Sequence, residues 1–314
     1  MDTEMTDQDF FARLKKLGFS DEFSQRVDLY VPKEIRRALA DETLTAIACA
    51  WESAKAIRNT KATVIADKEG GAHDYLTLAD LASHKTIFAQ LKTSGFLEND
   101  EVLSEESENK PADILGASRL WIIDELDGTN NTHRGIDSLS ANCVGYAEKG
   151  IMKSVAVCIP DSGSLMFAQK GLGTYLNGKK VKVTDDEKLE DTAVATDYYF
   201  NPQVISINLK VAQSLLAECT EGAFKFQALG SAVTSIFHVA HGGIGVYYHT
   251  GLSPWDNAAK LLVEEAGGHV TNLEGEEHTL LDRGIIIGKK GFVMDVARHT
   301  SGQYNNVPKT YKPK

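Results

Sequence analysis

The sequence has few of the features that mark secreted, membrane or cysteine-bound metal proteins. Its 4 cysteines are scattered without paired spacing, so we expect reduced, mostly buried thiols and neither a zinc site nor a disulfide framework. It has no run of about 18 apolar residues, which argues against a transmembrane helix. Its acidic amino terminus lacks the pattern of a signal peptide. These absences predict a cytoplasmic protein without a membrane partner.

Positive charge is also scarce. The chain has 33 basic and 44 acidic side chains and a formal net charge of −11, which argues against binding to nucleic acid or to an anionic membrane. An acidic protein needs bound cations to hold an anionic substrate. With 314 residues and 42% apolar content, the chain can form one large or two modest domains with a substantial core.

The most informative segment is residues 120–131. An apolar run, Leu120 to Ile123, predicts a buried strand, and Asp124 and Asp127 follow it directly. Two acids at a strand end repel each other unless a cation lies between them. Gly128 then allows close backbone approach, and Thr129 offers a hydroxyl group. The segment therefore suggests a site for a metal ion and a phosphate group.

Two other interpretations apply to the same segment. An Asp-Gly pair after a strand is common in hairpin turns, and this alternative stays open. An EF-hand loop also contains Asp-Gly, but its spacing fails here. With Gly128 in the sixth position, the first position would be Ile123 and the twelfth Arg134, where the loop requires acids.

Apolar spacing along the chain predicts an α/β fold with two halves, 1–188 and 189–314. In the first half we expect a short helix at 8–17, a long helix after Pro32, a mobile loop at 59–73, a helix from Thr77 and antiparallel strands at 139–147, 151–159 and 164–169. In the second half we expect strands at 192–196, 224–228, 244–249 and 284–288, alternating with helices at 204–218, 231–241 and 254–266. The tail from residue 304 to 314 should be loosely held.

Three acidic residues outside this segment have simple structural explanations. Asp80 lies in the first turn of a predicted helix, where it can interact with the helix dipole. Asp256 follows Ser253 by three residues, as in a capping box. Glu105 lies in an acidic stretch typical of a solvated loop.

Together these segments resemble the inositol monophosphatase family of metal-dependent, lithium-sensitive phosphatases. The resemblance runs in unbroken order from about residue 40 to 290. The matching motifs are Thr77-Leu78-Ala79-Asp80, Glu105-Glu106, Asp124-Glu125-Leu126-Asp127-Gly128-Thr129-Asn130-Asn131, Gly230-Ser231-Ala232, Trp255-Asp256-Asn257-Ala258-Ala259 and Glu265-Ala266-Gly267-Gly268. Several separate motifs in order favour catalytic roles for Asp80, Glu105 and Asp256 over the structural explanations.

The resemblance implies a layered α-β-α-β-α sandwich like that of inositol monophosphatase and fructose-1,6-bisphosphatase. It implies a homodimer and two or three Mg²⁺ ions in each site. The implied metal ligands are Glu105, Asp124, Asp127, Asp256 and the carbonyl of Leu126. The implied catalytic residues are Asp80, Thr129 and Glu105, with Asp80 and the Thr129 hydroxyl activating a water molecule. The implied phosphate and substrate residues are Gly128, Thr129, Gly230, Ser231, Ala232 and His249.

Departures from the family motifs leave the substrate open. Glu125 replaces the usual proline, and His249 lies where inositol-selective members carry an acid. We expect hydrolysis of a small phosphorylated metabolite, such as inositol 1-phosphate. Relatives act on histidinol phosphate, fructose-1,6-bisphosphate, 3′-phosphoadenosine 5′-phosphate or NADP. If His249 contacts substrate as an imidazolium ion, a second anionic group would be preferred. The alternative is a catalytically silent protein that binds phosphate or metal.

Overall fold

The computed structural model describes residues 6–68, 75–197, 202–219 and 224–312. The described helices are α1 Asp7–Lys16, α2 Asp21–Arg26, α3 Asp41–Arg58, α4 Leu78–Thr93, α5 Thr129–His133, α6 Pro202–Glu218, α7 Ala232–Ala240, α8 Pro254–Asn257, α9 Lys260–Glu265 and α10 Lys290–Thr300. The described strands are β1 Val64–Asp67, β2 Tyr75–Thr77, β3 Glu101–Ser104, β4 Leu120–Asp127, β5 Ala141–Glu148, β6 Ile151–Ile159, β7 Ser164–Gln169, β8 Gly173–Leu176, β9 Lys179–Val181, β10 Ala193–Ala195, β11 Lys225–Gln227, β12 Val246–His249, β13 His269–Thr271 and β14 Ile285–Gly288.

Two sheets organise these elements. The seven-stranded sheet has the order β3-β4-β5-β6-β7-β8-β9, in which β3 and β4 are parallel and the later neighbours are antiparallel. The five-stranded sheet has the order β11-β10-β12-β14-β13, with parallel pairing of β10 to both neighbours. The sheets lie on either side of residue 188 in the sequence, and the division into two halves there stays a prediction.

Among the described residues, the three largest apolar cores separate five layers. One core joins the outer face of the seven-stranded sheet to α1–α4. The central core packs α7 and α9 between the inner faces of the two sheets. The third packs α6 and α10 on the far face of the five-stranded sheet. The predicted α-β-α-β-α sandwich is confirmed.

Several element boundaries differ from the sequence-based predictions. The long helix does not follow Pro32 directly: a 3₁₀ turn occupies Lys33–Ile35, and α3 begins at Asp41, where two acids in its first turn favour a helix start. Part of the expected mobile loop forms β1, which pairs with β2, while 69–73 lie outside the described residues. The helix expected at 254–266 divides into α8 and α9.

The carboxy-terminal tail is anchored through residue 311, contrary to the expected loose tail. Tyr304 is 2% exposed, and its hydroxyl donates to Asn208 Oδ1 at 2.6 Å. The Tyr311 N–H donates to the Leu281 carbonyl at 2.7 Å. The Tyr311 ring packs edge-on against Trp255, 5.6 Å between centroids. Apolar burial and backbone hydrogen bonds thus outweigh the prolines and lysines that suggested a loosely held tail.

In the described ranges, no helix is long and apolar enough to cross a membrane.

Candidate functional site

Strand β4 sends alternating side chains to opposite faces of its sheet. Ile122 belongs to the central core, and Ile123 belongs to the core beneath the outer helices. Asp124 therefore faces inward, whereas Glu125 faces α4. A bulge between Asp124 and Asp127 interrupts the pairing with β5 and gives the strand end an irregular path.

Gly128 makes the turn that follows β4. Its φ angle is +80°, and a Cβ atom there would lie 2.8 Å from the Leu139 carbonyl oxygen. Any other residue would be strained and would clash with backbone. The next residue, Thr129, opens the short helix α5, whose first N–H groups have no acceptor within the helix.

Three carboxylates meet at this strand end. Ligand oxygens of Asp124, Asp127 and Asp256 all lie within 4.8 Å of one another. Asp124 is 1% exposed, and its Oδ1 atom has no hydrogen-bond partner in the described part of the chain. The fold thus brings together acids that the sequence motifs singled out, from the seven-stranded sheet and from α8, about 130 residues apart in sequence.

The cluster disfavours its own ionisation. Burial first, and then the charges of Glu105, Asp127 and Asp256, hold the pKa of Asp124 well above its ordinary value. Burial raises the pKa of Asp127 to about 7, although hydrogen bonds from Ser231 and Val233 oppose the shift. Burial and the charge of Asp127 raise the pKa of Asp256 well above its ordinary value. A bound cation would relieve this repulsion.

Two of these acids also cap helices. The Ser231 hydroxyl and the Val233 N–H at the start of α7 donate to Asp127 Oδ2, at 2.5 and 2.6 Å. The Ser253 N–H donates to Asp256 Oδ2 at 2.7 Å. A carboxylate has two oxygens, so capping leaves Oδ1 of each acid available to a metal ion. The capping-box interpretation and the metal-ligand interpretation of Asp256 are compatible.

Glu105 is outside the group of three. Its Oε1 accepts from Lys68 Nζ at 2.7 Å, and the same ammonium group donates to Glu106 Oε1 at 2.6 Å. Burial and the charge of Glu105 raise the pKa of Glu106 to about 8. Lys68 thus occupies the position of a cation between two acids next to the cluster. No sequence pattern distinguishes it.

The side chains of Asp80 and Thr129 are joined by a hydrogen bond. The Thr129 hydroxyl lies 3.0 Å from Asp80 Oδ1 and 2.7 Å from the Leu126 carbonyl oxygen, and its single proton serves one of these acceptors at a time. Asp80 Oδ2 accepts the Thr77 N–H at 2.9 Å, which caps α4. Burial raises the pKa of Asp80, so this carboxylate is a stronger base than an exposed one.

The Gly230-Ser231-Ala232 segment forms the start of α7 and lies next to the turn at Gly128. Asn131 connects the two, because its amide nitrogen donates to the Leu229 and Leu139 carbonyls at 2.8 and 2.7 Å. Gly230 has a φ angle of +69°, and a Cβ atom there would lie 3.3 Å from the Asn131 amide. The expected phosphate-binding segments thus lie side by side.

His249 is 7% exposed and ends β12. Its Nδ1 accepts the Gly251 N–H at 3.0 Å, and its ring stacks with that of Tyr247, 6.1 Å between centroids. Burial lowers the pKa of His249. This arrangement opposes the imidazolium form that the hypothesis of a second substrate anion requires.

Asp197 is a buried acid that sequence reasoning missed. It accepts the Gly230 N–H at 2.6 Å and the Tyr247 hydroxyl at 2.9 Å, so it supports both the α7 segment and β12. It comes directly after a predicted strand, as Asp124 does. The strand-end argument applied to residues 192–196 could therefore have found it.

The donors at the cluster suit Mg²⁺. All are carboxylate or carbonyl oxygens, without histidine or cysteine, and hard oxygen sets favour Mg²⁺ over Zn²⁺. The unpartnered Asp124 Oδ1 and the mutual repulsion of the three acids fit a cation there.

Comparisons with known proteins show the family to which the chain belongs. The Inositol monophosphatase family matches residues 35–304. Nus factor SuhB of Pseudomonas aeruginosa is 31% identical over 225 residues, which cover 71% of this chain and 81% of that protein. Fructose-1,6-bisphosphatase/inositol-1-monophosphatase of Thermotoga maritima is 27% identical over 230 residues, which cover 73% and 83%. A solved Thermotoga maritima IMPase structure has a TM-score of 0.74 at 22% identity, covers 86% of this chain and all of its own, and supports the fold alone. The chain belongs to the inositol monophosphatase family.

Proposed function

We propose that this protein is a Mg²⁺-dependent phosphomonoesterase that hydrolyses a small phosphorylated metabolite without a phosphoenzyme. The observation that carries the proposal is the convergence of Asp124, Asp127 and Asp256 within 4.8 Å. Family membership supports phosphatase activity. The acidic cluster would repel a phosphate ester unless cations intervene.

In this proposal the three aspartates, Glu105 and the Leu126 carbonyl hold Mg²⁺. When bound, the ions supply charge neutralisation of the phosphate group and acidify a bound water. Lys68 donates to Oε1 of Glu105, so its ammonium charge would oppose the binding of a cation by the same carboxylate.

The chain's own residues would position the reacting groups. The N–H groups of Gly128 and Thr129 face the phosphate from the turn. The Thr129 oxygen accepts a water proton while its hydroxyl proton passes to Asp80 Oδ1, 3.0 Å away. The raised pKa of the buried Asp80 favours this transfer. Ser231 and Ala232 at the start of α7, together with His249, line the substrate side.

Finer properties belong to the same proposal. We expect an inositol-1-phosphatase-like activity, with histidinol phosphate, fructose-1,6-bisphosphate, 3′-phosphoadenosine 5′-phosphate and NADP as alternative substrates. We also expect a cytoplasmic homodimer that lithium inhibits and that does not bind nucleic acid, in keeping with its net charge of −11. Size-exclusion chromatography with light scattering tests the dimer.

The test is phosphate release from these five esters with Mg²⁺ and with EDTA. We expect Mg²⁺-dependent release from at least one ester and its loss in Asp127→Asn, because an amide binds the cation weakly. Asp185→Asn is the matched control, since Asp185 is an exposed acid paired only with Lys182 among the described residues.

Two outcomes contradict the proposal in different ways. Near-normal turnover of Asp127→Asn at saturating Mg²⁺ would mean that Asp127 is not a ligand. Binding of Mg²⁺ without release from any ester would favour a catalytically silent phosphate- or metal-binding protein of this family.

A further inference from the structure

A cavity lies on the opposite side of the seven-stranded sheet from the carboxylates. It has a volume of about 320 Å³ and lies between α2, α3 and the turn that joins β6 to β7. Its floor is apolar or weakly polar and comes from the buried residues Trp51, Ala54 and Cys158. A volume near 300 Å³ is at the lower end of the range for small-molecule sites.

The rim of this cavity is basic, although the protein is acidic overall. Arg26, Lys55 and Arg58 line it, with Glu22 as the acid among the lining residues. Lys55 and Glu22 form an ion pair with each other and so neutralise each other. Two guanidinium charges therefore remain, in a chain whose net charge is −11.

Both guanidinium groups are available to a ligand. In the ranges that the structure describes, neither Arg26 nor Arg58 takes part in an ion pair or a side-chain hydrogen bond. Their charges help to lower the pKa of Glu22, after the hydrogen bond from Lys55, so both guanidinium groups lie near that acid. Two nearby cations without a counter-ion repel each other, and a bound anion would offset this cost.

The turn between β6 and β7 allows Arg58 to reach across the cavity. Gly163 has a φ angle of +68°, and a Cβ atom there would lie 3.2 Å from Arg58 Nη1. The guanidinium group therefore lies against the glycine, and Ser162 lines the same cavity. Arginine recognises phosphate oxygens through paired N–H donors.

The N-terminal segment contributes one side of this cavity. Glu22 and Arg26 precede residue 35, where the family match begins. Phe23, between them, packs against Trp51, 5.6 Å between ring centroids, and the Trp51 Nε1–H donates to the Tyr30 hydroxyl at 3.1 Å. These contacts hold Arg26 next to α3.

We propose that this cavity binds a small organic phosphate, with its phosphate group between Arg26 and Arg58 and its apolar part over the floor. The site is separate from the carboxylate cluster, because α3 packs on the outer face of the sheet whereas Asp124 faces the inner face. It needs no metal ion, since protein cations supply the charge.

Isothermal titration of the whole 314-residue chain with phenyl phosphate and with inorganic phosphate tests this site. EDTA keeps the carboxylate cluster free of cations, so that this cluster repels both probes, and KCl holds the ionic strength constant. We expect saturable binding of one phenyl phosphate per chain, tighter than that of inorganic phosphate. Equal affinities would overturn the assignment of an organic ligand.

Arg26→Gln and Arg58→Gln should each raise the Kd for phenyl phosphate about tenfold, the loss of one charge-assisted contact. Lys290→Gln is the matched control, because this exposed lysine begins α10 on the far side of the other sheet, and its Kd should be unchanged. Both arginines are exposed, so unchanged thermal midpoints should show that the variants fold. Absence of binding in the wild type, or equal weakening by all three substitutions, would overturn the proposal.

Discussion

Asp124 and Glu125 are neighbours in β4, yet they have opposite surroundings. Both are buried, at 1% and 0% exposure. Glu125 Oε1 accepts the Ser104 hydroxyl at 2.5 Å and lies 2.7 Å from His84 Nδ1, so it faces hydrogen-bond donors. Asp124 faces Glu105, Asp127 and Asp256. One oxygen of each carboxylate lacks a partner in the described residues, so the difference lies in what each group faces.

This comparison separates a structural acid from a candidate metal ligand. A buried acid that receives hydrogen bonds contributes to the fold, and removing its charge weakens those hydrogen bonds. A buried acid surrounded by acids destabilises the metal-free fold and gains from a cation. Adjacent residues of similar chemistry should therefore respond to substitution in opposite ways.

The largest expected effect is the contrast between Asp124→Asn and Glu125→Gln. Asp124→Asn should reduce phosphatase turnover by more than about 100-fold, because it weakens charge compensation of the phosphate. Its metal-free form should be as stable as the wild type or more so. Glu125→Gln should keep turnover within about tenfold but lose about 1–3 kcal/mol of unfolding free energy. Turnover is measured with Mg²⁺, and the unfolding free energy is measured by urea denaturation in EDTA. Equal responses of the two variants would refute the distinction.

The next effect concerns the Asp80–Thr129 pair. Thr129→Ala and Asp80→Asn should each lower kcat by about 10²–10⁴-fold with little change in Mg²⁺ affinity. The double variant should lose no more than the worse single variant, because the two act as a unit. Thr6→Ala is the control, since it removes a capping box of the same kind from α1, whose contacts do not include Asp80 or Thr129. Multiplicative losses in the double variant would show that the two residues act separately.

A smaller effect is expected from Lys68, which holds Glu105. Lys68→Met should raise Mg²⁺ affinity several-fold, because it removes a cation that competes for the same carboxylate. Lys85→Met, a change of the same kind on α4, should leave Mg²⁺ affinity unchanged. If Lys68→Met lowers the affinity, the lysine supports the site instead of competing for it.

The smallest effect is on thermal stability as a function of pH. The folded-state pKa of Asp127 is raised to about 7 from 3.8, so the folded protein binds more protons than the unfolded chain between these values. Stability in EDTA should therefore fall as pH rises from about 4 to 7. Saturating Mg²⁺ should flatten the decrease in Tm. The same slope with and without Mg²⁺ would mean that the ion does not bind these acids.

Local motifs made the central site predictable. Strand β4, the turn at Gly128 and the cap before Asp256 each have a residue pattern that depends on near neighbours, and their order along the chain matched the family. Apolar spacing predicted an α/β fold and most strands of both sheets, whereas the layered α-β-α-β-α arrangement was implied by the resemblance to the family.

Other features depend on distant contacts and have no local pattern. Strand β3 is a short segment within an acidic stretch, and it becomes a strand because it pairs with β4. The β1–β2 hairpin and β13 are equally short. Lys68 forms ion pairs with Glu105 and Glu106, which follow it by 37 and 38 positions in the sequence. The carboxy-terminal tail is fixed by contacts to Leu281 and Trp255. Sequence spacing cannot reveal such pairings.

Calorimetric titration with Mg²⁺ tests the distinction between the two faces of β4 most directly. Wild type and Glu125→Gln should bind Mg²⁺ with similar affinity, and Asp124→Asn should bind at least about tenfold more weakly. Unchanged Mg²⁺ affinity in Asp124→Asn, or an equal loss in Glu125→Gln, would contradict the assignment of the inward-facing acids as the metal site.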